Sequence, residues 1–143
     1  MKQMTRKELY ELFRKIYLEF KENKVKVPKC VVVNFRVPRR EQNHIFGYCL
    51  NEQNICEVDG YFISSDPDVD ECSEISINPK ILKMDLECIK GTIAHELIHT
   101  VSGCDDHNKK FLRVGKKVKK FLQLENEIEF VGTKEESDIL WKL

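Results

Sequence analysis

Three of the chain's four histidines stand between positions 95 and 107, in "AHELIHTVSGCDDH", and two of them flank a glutamate. His95 and His99 are four apart, so on a helix their side chains leave one face about 6 Å apart along the axis. Two imidazoles at that spacing can converge on one zinc ion at about 2.0–2.1 Å each. Glu96 lies roughly 100° further round the helix. That is too far to complete the ligand pair, yet close enough to reach a metal-bound water. Two ligands and one general base are what H-E-x-x-H supplies. In a chain of this length and composition the motif is expected by chance only about 0.01 times.

A catalytic zinc needs a third protein ligand and an open position. His107 is the leading candidate, because Gly103 lets the chain turn back toward the metal. Asp105 and Asp106 are suited to orient an imidazole as acceptors. Cys104, Asp105, Asp106 and a glutamate from 125–129 stay open as alternative third ligands. The spacing excludes the metzincin pattern H-E-x-x-H-x-x-G-x-x-H, whose glycine and histidine fall three and six residues beyond the second histidine. Here Gly103 and His107 fall four and eight beyond His99.

These residues must be held by a scaffold whose outline is legible. Leu86, Ile89, Ile93, Leu97 and Val101 mark one face of a helix from about Asp85 to Ser102, with Gly103 as its cap. A basic helix starts near Asn108, with Phe111, Val114, Val118, Phe121 and Leu122 inward. An N-terminal helix carries Leu9, Leu12, Phe13, Ile16 and Phe20, and Thr5 with Glu8 gives a capping-box pattern at its start. Strands are expected at 30–37, 44–50, 57–64 and 73–79. The last is either a peptide-binding edge or an ordinary internal strand. The order helix, strands, two helices predicts an α+β domain with a small, mainly antiparallel sheet of three to four strands.

At 143 residues, with 41% hydrophobic and 34% charged residues, the chain is expected to be one domain, residues 1–143. Its core should span about 5–122, followed by an acidic tail over 124–143 in which Trp141 packs back on the domain. Lysines and arginines (24) balance aspartates and glutamates (24), so global charge favours neither a nucleic acid nor a membrane. The N-terminus does not read as a signal peptide, and no stretch approaches a membrane span. A cytoplasmic monomer is therefore expected. The six cysteines include no C-x-x-C pair and are expected to be reduced.

The stretch "IKGTIAHELIHTVSGCDDHNKKFLRVGKKV" (89–118) resembles the SprT-like zinc metallopeptidases. Thr92, His95, Glu96, His99, His107 and Phe111 match the family's T-x-x-H-E-x-x-H helix, third histidine and following phenylalanine. "GYC" (47–49) and "EISINPKIL" (74–82) look like its two strands before the active helix. The resemblance covers roughly residues 5–122. It implies a compact zincin-like fold of the gluzincin type, with zinc on His95, His99 and His107 and with Glu96 catalytic. Two departures stand out: Asn108 replaces the glycine common after the third histidine, and no four-cysteine zinc ribbon follows.

The expected reaction is hydrolysis of peptide bonds in a protein or peptide substrate. Tyr48, Tyr61 and His44 are candidates for a transition-state donor. Lys109, Lys110, Arg113, Lys116, Lys117 and Lys120 are candidate contacts for DNA phosphates, which would suit action on DNA-associated proteins. The alternative is a non-proteolytic, zinc-containing module that binds protein or DNA.

Overall fold

The computed structural model describes residues 3–36 and 46–128. Helix α1 (Arg6–Glu22) opens at a true capping box. The Thr5 hydroxyl accepts from the Glu8 N–H and the Glu8 carboxylate accepts from the Thr5 N–H, both at 3.1 Å. Its buried stripe, Leu9, Phe13, Ile16, Tyr17 and Phe20, follows the helical period.

Strands β1 (Val31–Phe35), β2 (Gly47–Asn54), β3 (Tyr61–Ser64) and β4 (Glu71–Ile77) form one sheet in the order β2-β4-β1-β3. The β2–β4 and β1–β3 pairs are antiparallel and the β1–β4 pair is parallel. The expected α+β class, four strands and mainly antiparallel pairing are all present. Of the two readings of segment 73–79, the internal one is correct. β4 lies between β2 and β1, so both its edges are already paired and no peptide can add there. The sheet's edges are β2 and β3.

The pleat separates two faces. Val31, Val33, Ile75 and Ile77 join α1 and the helix that bears His95 and His99 in the main core, whereas Cys30, Val32 and Cys72 pack under Ile55, Val58 and Val69 on the reverse. The β2–β4 ladder slips between Leu50 and Gln53, so Asn51 and Glu52 together oppose Ser73. Glu52 takes φ 60 at this bulge, a conformation uncommon outside glycine and asparagine.

Helix α2 (Leu86–His99) starts where the Asp85 carboxylate accepts from the Cys88 N–H at 2.7 Å. It ends at His99, short of the expected Ser102, and Gly103 serves the turn that follows, at φ 84, rather than the cap itself. Helix α3 (Lys109–Leu122) buries Phe111, Val118 and Leu122 as its pattern requires. The core also takes in Leu124 and Ile128, which are 7% and 1% exposed. Leu124 and Ile128 are thus packed, beyond the core boundary expected at 122, while residues 125–127 are exposed. Trp141 and His44 lie outside the described residues. All six cysteines are free thiols, and among the described residues no helix is long and apolar enough to cross a membrane.

Candidate metal centre

His95 and His99 project from the last two turns of α2, and His107 reaches them from the loop that leads into α3. The three Nε2 atoms form a triangle: 3.2 Å between His95 and His99, 3.1 Å between His99 and His107, and 3.0 Å between His107 and His95. Two of these rings have their other nitrogen assigned. His95 Nδ1 donates to the Ile128 carbonyl at 3.2 Å, and His99 Nδ1 donates to the Cys104 carbonyl at 2.8 Å. A carbonyl only accepts, so both rings carry their proton on Nδ1 and turn a bare Nε2 lone pair inward.

Lone pairs opposed at this distance repel unless an electrophile lies among them. Zinc bound by imidazoles at about 2.0–2.1 Å in a tetrahedral site spaces its ligand nitrogens by about 3.3 Å. The triangle matches that spacing closely, and its donor set, three neutral imidazoles, is one used by catalytic zinc. Burial, and next the neighbouring His99, lowers His95 to about 3. Burial likewise lowers His99. Both are thereby kept neutral, as ligation demands. The Phe111 ring lies against all three imidazoles, with centroids 4.8–5.1 Å away.

Among the described residues no other side chain joins this cluster. Cys104 is buried and contributes its carbonyl to His99, not its sulfur to the triangle. Asp105 and Asp106 are exposed, and His99 feels their charge.

Glu96 points elsewhere, as the helical angle requires. It is 4% exposed, and its Oε2 is a buried polar atom without a hydrogen-bond partner in the protein. Burial raises its carboxyl to about 8. A buried carboxylate oxygen left without a partner is a group able to take up a proton, and a dication held by the three imidazoles would draw its pKa back down. The room for Glu96 comes from β2. A Cβ built on Gly47 would stand 3.3 Å from Glu96 Cγ, 3.1 Å from the Ser76 carbonyl and 3.2 Å from Ile77 Cδ1.

Two supports come from parts of the chain that carry no motif. The segment bearing the Ile128 carbonyl is clamped to α2 and α3: the Glu87 carboxylate accepts from the N–H groups of Glu125 (2.7 Å) and Asn126 (3.1 Å), and Lys119 pairs with Glu127 at 2.8 Å. From the β2 bulge, Asn51 Nδ2 donates to the His99 carbonyl at 2.9 Å and to Asp105 Oδ1 at 3.1 Å.

Of the expected transition-state donors, neither of the two described tyrosines faces the histidine triangle. Tyr61 stacks on Tyr10 at 4.3 Å and receives a bond from Arg14, on β3 at the sheet's far edge. Tyr48 follows Gly47 on β2, so it leaves the opposite face from the one that meets Glu96. On α3, Lys110 donates to the Ser102 carbonyl and Lys119 is taken by Glu127. Lys109, Arg113, Lys116, Lys117 and Lys120 are exposed and make no ion pair among the described residues.

No curated protein and no solved structure matches the chain. The model of the SprT-like family matches residues 9–130, a span that takes in most of α1, the sheet, the histidine triangle and the segment that holds His95. The chain belongs to the SprT-like family.

Proposed function

We propose that this protein is a zinc-dependent endopeptidase in which His95, His99 and His107 hold the metal and Glu96 is the general base. The observation that carries the reading is the triangle of Nε2 atoms at 3.0–3.2 Å beside a buried, unpartnered Glu96 Oε2. A zinc ion held by His95, His99 and His107 would lower the pKa of its water toward neutrality and polarise a scissile carbonyl. Glu96 Oε2 accepts the water's proton and returns it to the leaving amine. Glu96 is 4% exposed, and this burial keeps bulk water from competing for that proton. The sheet's edge at β2 runs past Glu96 through Gly47 and offers an extended substrate main-chain partners, the role first considered for β4.

Action on DNA-associated proteins is the finer part of the proposal. It rests on the five cations of α3 that make no ion pair among the described residues and that follow closely after the third histidine. A non-proteolytic binding module is the competing reading, and the intact Glu96 speaks against it, since binding alone needs no base.

The test compares wild type with Glu96→Gln, untagged, by elemental analysis and by hydrolysis of an unstructured protein substrate. About one zinc per chain in both, with hydrolysis falling roughly 10²–10⁴-fold in the variant, is the expected result. Equal hydrolysis by both, or none by either, returns the argument to the binding module.

A further inference from the structure

Asn51 is absent from every motif in the sequence, yet its amide is used to capacity. Nδ2 donates to the His99 carbonyl and to Asp105 Oδ1, while Oδ1 accepts from Ser73 Oγ at 2.7 Å and from Cys49 Sγ at 3.5 Å. Two donors and two acceptor sites are all a primary amide has. These four partners allow one orientation only, because a flipped amide would set oxygen against two acceptors.

The two acceptors belong to opposite arms of the metal site. The His99 carbonyl ends the helix that bears two of the imidazoles, and Asp105 lies in the loop that bears the third. The inner side of that loop is anchored by buried Val101 and Cys104. Thr100, Val101, Ser102, Gly103 and Asp105 border a cavity of about 610 Å³ that Asn51 also lines, so packing covers the loop only in part. The bulge in β2, with Glu52 at φ 60, is what brings Asn51 over the end of α2. Conformations of this kind persist where the surroundings enforce them, and they cluster at functional sites.

We infer that Asn51 is a positioning residue of the metal centre: it ties the end of α2 to the His107 loop and so sets the third corner of the histidine triangle. The inference rests on the zinc-site reading above. It assigns to the sheet's edge a part in metal binding, with no contact between Asn51 and the metal. Outer partners of this sort, when lost, typically weaken metal binding 10–100-fold.

The experiment measures the zinc dissociation constant by chelator competition, the visible spectrum of the cobalt-substituted protein, and the melting temperature of the apoprotein. The samples are wild type, Asn51→Ala, Asn51→Asp and the pair Asn51→Asp/Asp105→Asn. Either single change should weaken zinc about 10–100-fold and alter the cobalt bands. The pair restores a donor–acceptor contact across the loop and should recover part of that loss, which general destabilisation would not predict. Zinc affinity and cobalt spectra unchanged in both single variants would overturn the inference while leaving the zinc site intact. A wild type that binds no zinc would overturn the site reading itself, and the inference with it. If the Asn51 variants do not fold, Asp105→Ala breaks the same bond from the exposed side. It should weaken zinc several-fold, and an unchanged constant would overturn the proposal.

Discussion

The stretch from α2 to α3 and the parts of the chain that brace it differ in how they carry information. Within 85–122, function is written locally. The histidines of α2 are neighbours because a helix brings every fourth residue round, and His107 is near them because the connecting loop is short. The braces are remote: Gly47 and Asn51 come from an edge strand, and the Ile128 carbonyl from beyond α3. On the proposed reading the first region would supply ligands and base, while the braces act on the orientation of His95, on the His107 loop and on the room for Glu96. The contrast implies that changes in the helical unit should abolish metal or chemistry outright, while changes in the braces should weaken them by degrees.

The most severe test of that contrast is His107→Ala. Losing a ligand should cost more than the roughly 10–100-fold seen for outer partners, so elemental analysis should find zinc lost or sharply reduced. Chelator-treated wild type should behave alike, with a lower melting temperature that returns when zinc is added. A variant that retains full zinc would remove His107 from the site and reopen the case for Cys104, Asp105 or Asp106.

Gly47→Ala probes the brace on the other side. Its new methyl would press on the Ser76 carbonyl, on Ile77 and on Glu96 Cγ at 3.1–3.3 Å. The carbonyl belongs to the sheet and has little freedom, so the strain should fall partly on Glu96. A loss of about 1–3 kcal/mol of stability is expected from overpacking. Activity should drop at least several-fold while zinc content stays at wild-type level, as elemental analysis and hydrolysis rates together would reveal. Zinc lost along with activity would instead mean that β2 supports the imidazoles as much as the base.

This difference also explains how much was legible in advance. The clustering of His95, His99 and His107, the capping box at Thr5 and the inward faces of α1 and α3 are readable, because each depends on spacings of twelve residues or fewer. The position of β4 is not. Alternation along "SEISINP" is the same for an internal strand and an edge strand, and strand order depends on partners tens of residues away. Tyr61 looked available for catalysis only because a sequence does not reveal that β3 lies at the opposite edge from β2. The Ile128 carbonyl leaves no signature, since every residue has one. Asn51 has a side chain suited to notice, but asparagine beside a turn-rich stretch reads first as turn chemistry. The acidic character of the tail does not announce that two apolar residues at its start, Leu124 and Ile128, are buried in the core.

The smallest expected effect concerns Asn108, where the chain departs from its family's common glycine. Asn108 Oδ1 caps α3 by accepting from the Phe111 N–H at 3.0 Å, and Nδ2 donates to the Gly103 carbonyl at 2.9 Å. It therefore belongs to both regions: it starts a helix by a local rule and closes the loop that carries His107. Asn108→Ala should cost about 1 kcal/mol, the usual value of an N-cap, whereas Asn108→Gly should cost only a few tenths. Thermal unfolding of the apoprotein measures both. If the Gly103 bond also positions His107, both variants lose it equally, and zinc affinity should fall by the same small factor in each despite their unequal stabilities. Affinity that instead follows stability would make the Asn108 contribution a matter of helix initiation alone. Placement of the third ligand would then fall to the Asn51–Asp105 bond and to the packing of Val101 and Cys104.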